Sequence, residues 1–155
     1  MTAEPGAGDR AADPATPRAR RVAPARPTVR TLMSPHVLTV STDETLWDAW
    51  QLMFVSGLHH LVVTDPEGAP LGMVSDRGLL AELPLTPEHL EHRRVGELLL
   101  RGPLVSVHPD TSPEDAARTL AGYGAEAAPV LDDAGRLVGL LTCIDLVRWL
   151  AASDG

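Results

Sequence analysis

Apolar and polar positions along this chain recur in two different periods, and each change of period marks an element. Val29, Leu32 and Met33 are spaced for a short helical turn that Pro35 ends. Val37-Leu38-Thr39-Val40 has the β-branched content of a strand. Thr42-Asp43-Glu44-Thr45 supplies helix-start chemistry, and the apolar residues that follow predict a helix running to Ser56 and stopping at Gly57. His60 to Thr64 predicts the next strand, Asp65 to Gly68 a turn, Leu71 to Ser75 its hairpin partner, and Arg77 to Leu83 a closing helix.

The same order then returns at an offset of 67 residues: Val40 and Val107, Asp43 and Asp110, Asp48 and Asp115, Gly57 and Gly124, Val63 and Val130, Gly72 and Gly139. It predicts strand Leu104 to Val107, helix Ser112 to Gly122, strand Ala128 to Leu131, strand Leu137 to Leu141 and helix Ile144 to Leu150. Pro84 to Arg93 reads as a polar linker with a turn of helix at Pro87 to Glu91. A copy of about 50 residues buries too little apolar surface to stand alone, so the two are expected to pack as a pseudo-twofold pair. The resulting division is a tail over 1–27, repeat one over 28–83, a linker over 84–93, repeat two over 94–150 and a short end over 151–155. The fold class is α/β (α+β), two β-α-β-β-α units.

Charge changes the picture at one end only. Five arginines against three carboxylates leave residues 1–27 at +2, so the remainder of a chain with net charge −8 stands at −10. The tail's Ala, Pro and Arg content has no apolar period, which predicts disorder. An acidic body repels phosphate backbones, so nucleic acid is not an expected partner. No apolar run is long enough to span a bilayer and no signal-peptide core is present, which makes the cytoplasm the expected address and a membrane an unexpected partner. The single Cys143 is expected to be a buried apolar filler. His59 and His60, adjacent on a strand, face opposite sides and do not chelate one metal, so no metal site is expected.

The Asp-Thr helix start, the His60-Leu61-Val62-Val63-Thr64-Asp65 strand, Pro129-Val130 at its counterpart, and the Gly-x-x-Ser/Thr segment before each closing helix together resemble the CBS domain pair, the tandem module named for cystathionine β-synthase. The resemblance extends from Thr28 to Leu150. It implies a regulatory or sensor module rather than an enzyme, with an adenosine-containing ligand in a cleft between the repeats and an effector protein, of unknown identity, that reads its occupancy. Gly139-Leu140-Leu141-Thr142-Cys143-Ile144-Asp145 matches the family's ribose motif, so Thr142 and Asp145 are expected to hold the sugar, with Leu140, Val37, Leu38, Leu58 and His60 walling the base. The plainer alternative is that Asp145 caps its helix and Thr142 closes its strand.

Glu126 and Ala127 stand where phosphate-binding members often carry basic residues. An unpaired carboxylate there would favour S-adenosylmethionine or adenosine over AMP, at a cost to phosphate of several kcal/mol, about 4 kcal/mol at 4 Å for an effective dielectric near 20. A second, weaker cleft is expected around Ser75, Arg77 and His59, with Gly78 where the ribose carboxylate would be and Asp76 displaced by two residues. The helix from Thr45 to Ser56 has an apolar arc wider than one core-facing stripe needs, and family members often dimerise through such helices, so a homodimer is expected. The rival reading is a ligand-free structural or protein-interaction dimer with degenerate clefts.

Overall fold

The structure, a computed structural model, describes residues 2–3, 25–82, 84–99 and 104–155. The disorder expected of residues 1–27 falls, for residues 1 and 4–24, outside the described residues.

The first half contains β1 (Thr39–Ser41), α2 (Leu46–Ser56), β2 (His60–Thr64), β3 (Pro70–Ser75) and α3 (Asp76–Leu80), preceded by a single helical turn α1 (Val29–Leu32). Strands β1 and β2 pair in parallel, and β2 pairs antiparallel with β3. Helix α2 begins where its chemistry says it should: Thr45 accepts from the Asp48 N–H while the Asp48 carboxylate accepts from the Thr45 N–H. Such reciprocal capping is worth about 1 kcal/mol. Gly57, at φ 72°, ends the helix in the left-handed conformation that a side chain resists.

After α4 (Pro87–Glu91) and a 3-10 turn over Val95–Leu98, the second half repeats the pattern with α5 (Pro113–Tyr123), β4 (Ala127–Leu131), β5 (Leu137–Thr142) and α6 (Cys143–Ser153). The strand expected at Leu104 to Val107 is reduced to a single parallel bridge between Val107 and Val130. Two prolines are the cause. In the first half the Thr42 N–H donates to the Thr64 carbonyl and the Val62 N–H to the Leu38 carbonyl, whereas their counterparts 67 residues on are Pro109 and Pro129, which have no N–H to give. The closing helix of the first half is shorter than expected, ending at Leu80 rather than Leu83.

Two apolar cores result, and they superpose on the same numerical offset. Val40, Ala49, Met53, Leu61, Val63 and Val74 in the first correspond to Val107, Ala116, Leu120, Ala128, Val130 and Leu141 in the second. Leu46 and Leu79 complete the first core from its own repeat, and three further members cross over. Val29, from the leading segment of the first repeat, is fully buried in the second core, and the Val29 and Arg30 N–H groups donate to the Thr111 and Pro109 carbonyls. Ser34 exchanges both backbone hydrogen bonds with Leu140 of β5. Conversely, Leu90 and Val95, which lead into the second repeat, are fully buried in the first core, and the Val95 and Gly96 N–H groups donate to Glu44 and Thr42. The linker stretch thus also packs against the first core: its leucines face inward, most of its polar residues outward, and Arg93 pairs with Glu82 and Glu97.

Gly139 shows how closely the exchanged segment is seated. A Cβ there would overlap the Met33 sulfur and stand 3.0 Å from the Ser34 carbonyl oxygen. Apart from the exchanged segments, the two halves meet where β3 approaches β4.

Two outcomes follow from the exchange. Leu90→Ala, although it lies between the repeats, is expected to cost about 3 kcal/mol in chemical denaturation, the loss typical of a fully buried leucine. Residues 25–83 and 84–155 made as separate chains each lack a segment of their own core; neither is expected to melt cooperatively alone, and mixing them is expected to restore one transition by circular dichroism. A cooperative melt from either chain by itself would refute the reciprocal dependence.

Candidate functional site

The closing helices of the two halves begin side by side at the pseudo-twofold axis, and the polar ends of β2 and β4 meet them there. Between them lies an open groove of about 490 Å³ lined by His59, His60, Asp76 and Arg77 from the first half and Glu126, Thr142, Cys143, Ile144 and Val147 from the second. Three of its pairs, His59 with Glu126, Asp76 with Cys143 and Arg77 with Ile144, are related by the 67-residue offset. Backbone geometry respects the symmetry: the Asp76 N–H donates to the His59 carbonyl at 3.0 Å and the Cys143 N–H donates to the Glu126 carbonyl at 2.9 Å.

Side chains break it. His59 Nδ1 lies 2.7 Å from Asp76 Oδ2 within the first half, but Glu126 and Cys143 cannot form the equivalent pair. Glu126 instead crosses to the other half, accepting from Arg77 at 2.9 Å with His60 Nε2 at 3.8 Å. The carboxylate that the sequence left unpaired thus has a guanidinium partner across the interface. Burial pushes the His60 imidazole below its ordinary value; the Glu126 and Asp76 charges pull the other way without reversing the shift, and His59 adds to the lowering. For Asp76, burial acts to raise the carboxyl, but the His59 and Arg77 hydrogen bonds and the two histidines hold it below its ordinary value. The Arg77 backbone N–H also donates to Asp76 Oδ1 at 2.8 Å, so Asp76 holds both His59 and the Arg77 backbone.

Thr142 and Asp145 form a second reciprocal cap at the start of α6. Thr142 accepts from the Asp145 N–H, and Asp145 Oδ2 accepts from both the Thr142 N–H at 2.9 Å and its hydroxyl at 3.0 Å. The plainer expectation for these residues, a helix cap, is therefore realised, while Asp145 Oδ1 accepts no hydrogen bond among the described residues. The pair separates two hollows. Thr142 lines the axial groove, whereas Asp145 lines an outer hollow of about 400 Å³ with Pro27, Thr31, Leu32, Arg148 and Trp149. The exchanged leading segment supplies three of those residues. Sequence reasoning missed Arg148 and Trp149, although their spacing of three and four residues from Asp145 puts all three on one helix face.

The described hollow beside Asp145 is lined by other residues than those expected to wall the base. Leu140 is buried under the Ser34 pairing, Ala127 sits opposite Thr142 in the β4–β5 register, and Val37 and Leu38 line none of the hollows described. Leu58 belongs to a small apolar hollow of about 150 Å³ with Trp50, Met53, Phe54 and Gly57, and His60 faces the axial groove. Of the residues expected in a second cleft, Arg77 and His59 join that same groove, while Ser75 caps α3 by accepting from the Gly78 N–H. Cys143 is exposed rather than buried, because the first position of α6 opens onto the groove. No group of three or more potential metal ligands occurs among the described residues, and no helix among them is long and apolar enough to cross a membrane.

Comparison with known proteins places this geometry. A CBS domain-containing protein of Dictyostelium discoideum is 30% identical over 131 residues, covering 79% of this chain and 90% of its own. An uncharacterized protein of Methanocaldococcus jannaschii is 28% identical over 79% of this chain, which spans only 32% of that relative's length. Among solved structures, CBSX2 of Arabidopsis thaliana, in its complex with AMP, shares 33% identity and a TM-score of 0.67, covering 83% of this chain and 98% of the other. A CBS domain pair in complex with 5′-methylthioadenosine and S-adenosyl-L-methionine has a TM-score of 0.70 at 20% identity, covering 83% and 98%, a likeness of fold. The CBS domain model matches twice, over residues 29–85 and 95–152, in register with the two repeats and their exchanged leading segments. The chain therefore belongs to the CBS domain family.

Proposed function

We propose that this chain is a non-catalytic regulatory module that binds an adenosine-containing ligand and passes its occupancy to an effector protein. The observation that carries the reading is the placement of the Thr142–Asp145 pair on the partition between the outer hollow and the axial groove. A carboxylate oxygen left free by the cap suits a ribose hydroxyl, and the Trp149 indole beside it suits a base. The sugar's 5′ substituent would pass Thr142 toward Arg77 and His60. AMP in the CBSX2 structure and S-adenosylmethionine and 5′-methylthioadenosine in the fold neighbour are ligands of this class.

Glu126 sets the order among them, though not as an unpaired charge. Because it occupies Arg77, a phosphate must displace a carboxylate whereas a neutral or cationic substituent need not. S-adenosylmethionine and adenosine are thus expected to bind ahead of AMP. Exposed apolar side chains support a homodimer as the assembled form: Phe54 is 82% exposed beside the groove, and Leu80, Ile144, Val147 and Leu150 are exposed on the closing helices. A second copy laid on this face would cover them by a self-complementary contact.

Isothermal calorimetry with adenosine, AMP and S-adenosylmethionine tests the ligand reading. Asp145→Asn, which keeps a cap acceptor, is expected to weaken all three by roughly tenfold or more, the loss of one charge-assisted hydrogen bond. Glu126→Gln is expected to strengthen AMP relative to adenosine. Heat from none of the three would favour the ligand-free interaction module. Sedimentation equilibrium tests the assembly: wild type is expected as a dimer and Val147→Arg as a monomer, and a monomeric wild type would remove the second copy from the reading.

A further inference from the structure

A further hollow adjoins the one that holds Asp145, sharing Pro27 and Trp149 with it, and we infer that it is a separate binding site for a free amino acid with an apolar or aromatic side chain. It measures about 540 Å³, within the span usual for small-molecule sites, and lies between the start of α5 and the end of α6. Among the described residues, neither Asp145 nor any residue of the axial groove lines it.

Four charged side chains line this hollow, and two of them are spent on each other: Arg118 donates to Asp115 at 2.6 Å, within one turn of α5. Arg26 and Glu114 remain. Both line the same cavity, yet neither joins an ion pair among the described residues. A cation and an anion that share one cavity without meeting leave room for a molecule that carries both charges. A polyanion is a poor fit, because the two carboxylates beside the guanidiniums repel phosphates. A zwitterion gains at both ends, its carboxylate from the Arg26 guanidinium and its ammonium from Glu114. Two hydroxyls extend the match. Ser112 accepts from the Asp115 N–H at 3.1 Å and keeps its own proton to donate, while Ser153 donates to the Trp149 carbonyl at 2.9 Å and keeps its lone pairs to accept. Pro27 and the Trp149 indole supply the apolar surface against which a ligand side chain packs.

The first half shows the same place closed. There α4 packs against α2, Leu90 is fully buried, and the guanidinium next to the entering segment, Arg93, is held by Glu82 and Glu97. Sixty-seven residues on from Glu82 stands Trp149, so the carboxylate that closes the first half is replaced in the second by an aromatic surface. The guanidinium next to the entering segment of the second half, Arg26, lines the hollow with that indole instead. One repeat thus satisfies its charge internally and fills the space with a helix, whereas the other keeps the space, the charge and an added carboxylate at Glu114, where the first half has Trp47.

Nuclear magnetic resonance on the full chain, titrated with L-phenylalanine, tests the site. The Trp149 indole N–H is expected to shift saturably with a Kd below about 5 mM. N-acetyl-L-phenylalanine, which lacks the ammonium, and L-phenylalaninamide, which lacks the carboxylate, are each expected to bind roughly tenfold more weakly. Each charge is then assigned by its own variant. Arg26→Gln should weaken L-phenylalanine about tenfold and erase its advantage over the amide, and Glu114→Gln should weaken it similarly and erase its advantage over the acetylated analogue. Both residues are exposed, so neither change removes core packing. A Kd above that limit, equal binding of an analogue that lacks either charge, or variants that bind as wild type does would each overturn the inference. Asp145→Asn is expected to leave all of these affinities unchanged, so the amino-acid site and the sugar site stand or fall separately.

Discussion

The exchange of leading segments is the constraint on which the rest of this structure depends. Val29 completes the second core and Leu90 with Val95 completes the first, so neither half closes its apolar interior from its own repeat. This follows from size: two cores of this scale bury enough surface only jointly, and contributing a segment to the neighbour ties the halves more firmly than a flat contact would. It also fixes the position of the outer hollow, because Pro27, Thr31 and Leu32 reach Asp145 only as parts of the segment that crosses over.

Symmetry organises the backbone and asymmetry organises the chemistry. The Asp76 and Cys143 N–H groups make the same hydrogen bond 67 residues apart, and six core positions coincide on that offset. Where function would be read, the copies diverge. A histidine–aspartate pair on one side faces a glutamate and a thiol on the other, and the unmatched glutamate pairs across the groove with Arg77. One half carries a carboxylate, Asp145, at the third position of its closing helix, where the other has Gly78.

Much of the fold was legible because it is written in local chemistry. Thr45 with Asp48, and Gly57 and Gly124 at positive φ, fix α2 and end both long first helices of the repeats by rules that operate within a few residues. What sequence could not reveal is where a segment goes after it leaves its repeat. Pro84 to Arg93 looks polar when counted, yet the direction of Leu90 depends on α2 standing beside it. The same limit applied to the site. Thr142 and Asp145 are singled out by the resemblance to the family's motif, but their separation into two hollows, the Arg77–Glu126 pairing and the exposure of Cys143 all depend on contacts between distant parts of the chain. Pro109 and Pro129, by contrast, are a signal that the expected strand over Leu104 to Val107 passed over, since a missing N–H is visible in any sequence.

Crossing over has a consequence for biosynthesis. The N-terminal strap that seats Val29 against Leu141 leaves the ribosome more than a hundred residues before the strand that receives it. At roughly 5–20 residues per second that delay is on the order of ten seconds, during which the first half can acquire Leu90 and Val95 while its own opening segment has no berth. During synthesis the Val29 turn is therefore sheltered only once the strand that receives it has emerged.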